Sequence, residues 1–305
     1  MNNKIIVVGS SNTDMVVKVP NIPAPGETVM GSEFMTIPGG KGANQAVSAA
    51  RAGGDVVFIT CVADDGFGKK SMENYRKEGI NTSYIKVVQG VHSGIALISV
   101  AADGENSIAV APGANHLLLA EDIYNLRKTF TGAGIVLVQL EIPHETVHAV
   151  ADVAGEEGIP LILNPAPAAK LPSGLLKKVS IITPNETEAA LLTSFTEINS
   201  DTIPQIARDL YDIGIETVMI TLGSKGVYLL DSNFQGMIPG YSVRAVDTTA
   251  AGDVFNGTLA YALSHDETTR HAIDFAQRAA AISVTRMGAQ PSAPRFSEIS
   301  GYKFS

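Results

Sequence analysis

One rhythm constrains the fold of this chain more than any other feature. Short, largely apolar, β-branched runs alternate with helical patterns along nearly its whole length. The runs lie at 4–9, 56–62, 135–140, 160–163, 180–183, 217–221 and 226–230, and helical patterns fill 42–52, 66–78, 120–131, 144–157, 185–192, 202–213, 252–263 and 269–285. A strand that is apolar at every position must be covered on both faces, and strands separated by helices pair in parallel beneath those helices. The sequence therefore predicts an α/β fold, a three-layer sandwich around a mostly parallel central sheet. Two segments break the rhythm: 15–37, rich in Pro and Gly, and 92–112, which reads as strand-turn-strand around Asp103-Gly104-Glu105-Asn106. These predict a small β-flap beside the main sheet. No repeat, low-complexity tract or Ser/Gly linker divides the chain, so 1–305 is expected to form a single domain.

Composition narrows the function. A chain of 305 residues, 45% of them hydrophobic, can bury a large core. Its net charge of −9 argues against nucleic acid or an anionic membrane surface as partner, but leaves an anionic substrate open where donors are placed locally. Cys61 is the single cysteine, so no intramolecular disulfide can form, and its apolar neighbours make it a small buried hydrophobe. The apolar run at the start is too short for a signal peptide, and no stretch approaches the ~20 apolar residues that span a bilayer. A cytoplasmic location is expected.

In an open parallel sheet, ligands sit beyond the carboxyl ends of the strands. Asn12 and Asp14 follow the first run, Glu141 the third, Asn185 and Glu188 the fifth, and Thr221-Leu222-Gly223-Ser224-Lys225-Gly226 the sixth. Each alone could be a turn or a cap; their recurrence at one edge points to a site. Gly39-Gly40-Lys41-Gly42-Ala43-Asn44 combines close backbone approach, a cation and an amide, a set suited to a polyol. Asp247-Thr248-Thr249-Ala250-Ala251-Gly252-Asp253 runs small residues into a carboxylate at a helix start. Bare amides and the dipole of that terminus favour an anion, and Asp253 places a base beside it. Phosphoryl transfer to a hydroxyl needs that pairing. The plainer reading is a helix start with Asp in its first turn. Gly9-Ser10-Ser11-Asn12 lacks the glycines of a dinucleotide fingerprint, and no Walker A spacing occurs.

Taken in order, these motifs resemble the ribokinase-type (pfkB) carbohydrate kinase family over nearly the whole chain. Asn164-Pro165-Ala166-Pro167-Ala168, Thr183-Pro184-Asn185-Glu186-Thr187-Glu188 and Thr285-Arg286-Met287-Gly288-Ala289-Gln290-Pro291-Ser292 complete the set. The resemblance implies a β-sheet lid, built here from about 15–37 and 92–112, and a homodimer joined through the lids. It implies ATP-dependent phosphorylation of D-ribose at O5, giving D-ribose 5-phosphate and ADP. Asp253 would then be the general base, and Ala250, Ala251 and Gly252 the anion hole. Sugar contacts would come from Asn12, Asp14, Gly40, Lys41, Gly42, Ala43, Asn44, Glu141 and Asp253. Asn185 and Glu188 would arrange Mg2+ and phosphate, largely through water, while Thr221 to Gly226, with Gly252, Asp253 and Gln277, would line the ATP site. Potassium would be held by Asp247, Thr249, Ser283, Arg286, Gly288 and Ser292, mostly through carbonyls. Arg286 would serve by its carbonyl alone, since a guanidinium cannot ligate a cation.

Two positions depart from the family pattern: Gln277, where His or Asn is usual near the adenine, and Thr258, where Ala or Gly is usual. Relatives that prefer deoxyribose tend to be apolar where this chain has Asn12, so the resemblance favours ribose. A sugar lacking a hydroxyl would leave buried polar groups unpaired, at about 1–3 kcal/mol each. The alternatives are a kinase of 2-deoxyribose or fructose, and a non-catalytic sugar sensor.

Overall fold

The computed structural model describes residues 3–304. Its main sheet has eight strands, in the spatial order Gln235–Pro239, Gly226–Leu230, Thr217–Thr221, Ile181–Ile182, Leu161–Leu163, Ile135–Val138, Lys4–Val8 and Asp55–Ile59. The six from Thr217–Thr221 to Asp55–Ile59 pair in parallel; the two at the other edge run antiparallel as a hairpin meander. Alternation of side chains along each strand feeds two separate cores, one per face. On one face Ile6, Val8, Val136, Val138 and Leu163 pack under the helices His144–Glu156 and Ile203–Asp212. On the other, Ile5, Val7, Leu137 and Ile162 meet the helices Lys41–Arg51, Ala251–Ser264 and Thr269–Ser283. The expected mostly parallel sheet between two helical layers is what the chain forms.

Three expected elements differ in detail. The run at 56–62 divides at Thr60: Asp55–Ile59 stays in the main sheet, while Cys61–Ala63 turns away to pair with Lys86–Val88. The helix expected over 120–131 is two, Ala120–Asn125 and Arg127–Phe130, broken at Leu126. The third concerns where the chain goes after its first strand. It turns at residues 9–11 and enters a second, four-stranded sheet as Asn12–Lys18, ordered Glu33–Gly39, Asn12–Lys18, Gly94–Val100, Asn106–Ala111. Asn12 and Asp14 thus lie on a strand of this second sheet rather than in a loop.

Two glycines let the helices approach the site closely. A Cβ on Gly42 would stand 2.5 Å from Gly9 C and Ser10 N, and one on Gly257 would stand 2.3 Å from Gln45 O. The helices Lys41–Arg51 and Ala251–Ser264 therefore cross backbone against backbone. Thr258, beside the crossing, is fully buried and turns its hydroxyl onto Val254 O at 2.6 Å within its own helix. No helix among the described residues is long and apolar enough to cross a membrane.

Candidate active site

The polar residues expected at the sheet edge converge where the second sheet meets the carboxyl ends of the main strands. Asn12 Oδ1 accepts from Asn115 Nδ2 at 2.7 Å, and Asn115 Oδ1 accepts the Ser11 amide at 2.8 Å, so Asn12 is held by a residue from a distant 3-10 turn. Asp14 projects from the same side of its strand two residues on. A Cβ on Gly39 would lie 2.3 Å from both Asp14 carboxylate oxygens, which is why the strand facing it must carry glycine there. Gly40 adopts φ +90° and opens the helix Lys41–Arg51. Glu141 Oε2 accepts from Ser10 Oγ at 2.5 Å and from the Lys41 amide at 3.0 Å. Gly42 and Ala43 are wholly buried, and the Ala43 amide donates to Ser10 O at 2.9 Å.

Charge is concentrated here. Burial first, then Glu141 and Asp253, push the Asp14 carboxyl up to about 7, with Lys41 opposing. Asp253 in turn, ahead of the other carboxylates, holds the Lys41 ammonium above its ordinary value. The folded state therefore binds a proton at Asp14 that the unfolded chain, with a carboxyl near 3.8, has already released, so this group's contribution to stability is lost as pH rises through about 7. Asp14→Asn is expected to raise the unfolding temperature of the ligand-free protein clearly more at pH 8 than at pH 5, since the loss accumulates between the two carboxyl values. Equal shifts at both values, read by calorimetry, would remove Asp14 as the source.

Asp253 is 5% exposed, in the first turn of the helix Ala251–Ser264. Its Oδ2 accepts from Asn44 Nδ2 at 2.9 Å and its Oδ1 from Gln45 Nε2 at 3.0 Å. Burial raises its pKa against the opposing pull of Lys41 and the two amides, which moves a carboxylate toward the range useful to a general base. Asn44 Oδ1 is buried and has no partner among the described residues. The helix begins at Ala251, with Ala250 as its N-cap in the left-handed region at φ 59°. The Val254 amide closes on Ala250 O, and the Ala251 amide, expected to be an open donor of the anion hole, closes the turn on Thr248 O; among the described residues this leaves the Gly252 and Asp253 amides as the free donors of the first turn. Asn256 fixes the turn in space: its Nδ2 donates to Gly252 O at 2.8 Å and its Oδ1 accepts from Thr183 Oγ1 at 2.6 Å.

Two cavities flank this turn. One, of about 180 Å3, is lined by Lys41, Asn164, Asn185, Glu188, Ala250, Gly252 and Asp253. The other, of about 400 Å3, is lined by Thr221, Gly223, Ser224, Gly226, Tyr241, Phe255 and Gln277, a volume and a largely apolar wall that suit a planar heterocycle. Thr221, Thr248, Ala251 and Gly252 border both. A nucleotide in the larger cavity would thus direct its phosphates past the free amides toward Asp253. Gln277 is 7% exposed and neither of its amide atoms has a partner among the described residues. Leu222 is buried beneath the turn, and Lys225 is directed outward, 3.9 Å from Glu186, so neither borders the cavity.

The sequence profile described as pfkB family carbohydrate kinase matches residues 2–295. The chain belongs to this family. Ribokinase of Haemophilus influenzae is 44% identical over 294 residues, covering 96% of each chain. The crystal structure of Thermotoga maritima ribokinase superposes with a TM-score of 0.90 at 40% identity, covering 97% of this chain and 98% of that one. Ribokinase of Arabidopsis thaliana, solved with ribose and ATP, gives a TM-score of 0.89 at 32% identity over 99% and 98% of the two chains.

Among the described residues no cluster of three or more His, Cys, Asp or Glu stands ready to hold an ion. Magnesium, however, is commonly held by one or two carboxylates together with phosphates and water. Glu188 borders the smaller cavity in a reciprocal cap with Asn185: the Asn185 amide donates to Glu188 Oε2 at 2.9 Å, and the Glu188 amide to Asn185 Oδ1 at 2.8 Å. Behind the anion turn, Asp247 accepts from the Thr249 amide at 2.9 Å and the Gly288 amide at 2.8 Å. Burial works against this carboxylate, but those hydrogen bonds outweigh it and hold Asp247 below its ordinary range. Arg286 spends its guanidinium on Glu298 at 2.5 Å, and Ser283 and Ser292 donate to Ala280 O and Ala289 O.

Several site residues escaped the sequence reading, Ser10, Tyr241, Thr248, Phe255 and Asn256 among them. Gln45, Gln139 and Asn164 lie within runs that stood out for other reasons, and Asn115 carried no signal, since only the fold brings it to Asn12.

Proposed function

We propose that this pfkB kinase transfers the γ-phosphoryl group of ATP to O5 of D-ribose, releasing D-ribose 5-phosphate and ADP. The observation that carries the reading is Asp253, a buried carboxylate with a raised pKa, one residue from the free Gly252 amide, at the wall shared by the two cavities. Asn12, Asp14, Gly40, Lys41, Asn44 and Glu141 would hold the sugar, with the unpartnered Asn44 Oδ1 free to accept a hydroxyl. Asp253 would take the proton from the 5-hydroxyl as O5 bonds to phosphorus and the bond to ADP breaks. The amides of the turn would face the charge on the moving phosphoryl group. Magnesium, when bound, would neutralise charge on the phosphates; Asn185 and Glu188 would hold it, largely through water. The likeness to ribokinases over nearly full length supports ribose as the acceptor. The test is ADP release with ATP, magnesium and potassium, comparing ribose, 2-deoxyribose, fructose and adenosine. Preference for ribose is expected; another favoured sugar would keep the mechanism and revise the sugar contacts. Ribose binding without turnover would favour a sensor.

A monovalent cation would sit behind the anion turn, held by Asp247 and Thr249 and by carbonyls of Ser283, Arg286, Gly288 and Ser292. Fixing that side of the turn would keep its amides aimed at the phosphoryl group. Activity should fall sharply in potassium-free buffer and return on adding potassium; full activity in sodium or Tris alone would sink this assignment.

The second sheet would act as a lid and as the homodimer contact. Phe34, Leu97, Ile108 and Val110 stand 65%, 55%, 56% and 51% exposed on it, and apolar exposure on that scale marks an interface. Sedimentation should give twice the chain mass for the native protein and a lower mass for Leu97→Asp/Val110→Asp. A monomer in the native protein would exclude the contact.

A further inference from the structure

The two amides that reach Asp253 come from consecutive residues of one helix yet differ in surroundings. Asn44 is 6% exposed and keeps an open acceptor. Gln45 is fully buried, as is Gln139, and neither borders a cavity. Gln45 Nε2 donates to Asp253 Oδ1 and to Asn164 Oδ1, both at 3.0 Å, and its Oε1 accepts from Gln139 Nε2 at 2.5 Å. The sense of this chain follows from chemistry. An ionised carboxylate only accepts, so Gln45 must present its nitrogen to Asp253. Its oxygen then faces Gln139, which must present a nitrogen in turn. That leaves Gln139 Oε1 buried without a donor among the described residues, 2.0 Å from where a Cβ on Gly9 would stand. Glycine at position 9 is thus what makes room for the Gln139 amide. An unpaired buried carbonyl oxygen is costly, and this one is retained where the chain points at the base.

We propose that Gln139 and Gln45 form a buried amide relay that positions Asp253: Gln45 fixes the rotation of the carboxylate, and Gln139 fixes Gln45. The proposal rests on the reading of Asp253 as general base. Both glutamines are positioning residues, since neither reaches the substrates. The relay leaves the outward edge of the carboxylate as the one available to the acceptor hydroxyl. Its N–H donation also favours the ionised form.

Gln45→Met and Gln139→Met keep length and burial while removing the amide. Folding is checked by thermal unfolding, and kcat, KM and the pH profile of kcat are measured. Gln45→Met is expected to lower kcat about 10- to 100-fold, Gln139→Met somewhat less, with KM for ribose and ATP changed less than about twofold. The acid limb of the profile should move to higher pH in Gln45→Met, because a donor to the carboxylate is lost, and by less in Gln139→Met, where that donor stays but loses its own anchor. The neighbouring charges of Lys41, Asp14, Glu141 and Glu188 are left in place. If Gln139 acts through Gln45, the double variant has the kcat of Gln45→Met alone. Folded single variants with native kcat and acid limb, or losses that multiply in the double variant, would overturn the relay. Should Gln45→Met fail to fold, Gln139→Met decides the matter by the same two readouts. Asp253→Asn separates the two readings: if it retains turnover, the base assignment fails; if it is inactive while both glutamine variants are native-like, the relay alone fails.

Discussion

Asp253→Asn should still bind ribose and should lose nearly all turnover. General-base assistance is typically worth about 10²–10⁴ in rate, and an amide at this position cannot accept the hydroxyl proton. Asparagine nearly matches aspartate in shape, so the helix start and the Gly252 amide stay in place. One cost is foreseeable. Both carboxylate oxygens now accept N–H groups, from Asn44 at 2.9 Å and Gln45 at 3.0 Å, and an asparagine can satisfy only one of them. Against that, the substitution removes a buried charge, and the two effects oppose each other in stability. The variant should therefore fold, which makes the kinetic result interpretable. Calorimetric titration with ribose, beside ADP release, gives the two numbers needed. Near-native turnover would mean that another group takes the proton.

Gly42→Ala should be strongly damaging for a single added methyl group. Its Cβ would lie 2.5 Å from Gly9 C and Ser10 N and 2.6 Å from Gly9 Cα. All three are main-chain atoms, which cannot turn aside as a side chain would. Overpacking of this kind costs about 1–3 kcal/mol, and neighbours that are all main chain place it toward the upper end. For a chain of this size that is a loss of roughly 3–5 °C in Tm. The shift would also be felt in function. Ser10 Oγ and the Lys41 amide jointly hold Glu141, so pushing the helix from the turn loosens a proposed sugar contact, and KM for ribose should rise with kcat less affected. A Tm equal to that of the native protein would show that the turn at residues 9–11 can yield.

What the sequence made legible, and what it did not, divides along a physical line. The apolar runs specified the main sheet because a strand buried on both faces has almost no freedom in composition. The helix start at Asp253 was legible because small residues before an acidic first turn are a local signal. Asn115 was not, because its role depends on a contact with Asn12, 103 residues away. Gln45 and Gln139 were invisible for a related reason: an amide inside an Ala-rich helix or at a strand end reads as neutral until its partner is known. The division at Thr60 was missed because a lone β-branched threonine within the apolar run from Val56 to Val62 is as common inside a strand as at its end. Asn12 and Asp14 were recognised, but as loop residues; their strand pairs with Gly94–Val100, and long-range pairing leaves no local mark.

The crossing at Gly257 has a consequence for how such a chain can diversify. Asp253 lies one helical turn before it, and Asn44 and Gln45 lie on the helix it touches, so the distance from carboxylate to amides is set by main-chain contact in the rigid body of the molecule. Asn12 and Asp14 stand instead on a strand of the second sheet. With Asp253 as the proposed base and Asn12 and Asp14 as the proposed sugar contacts, reactivity and selectivity would be mounted on different parts. Substitutions on that strand can re-specify the acceptor while the base keeps its bearings, so a lineage of such chains can change what it phosphorylates without rebuilding how.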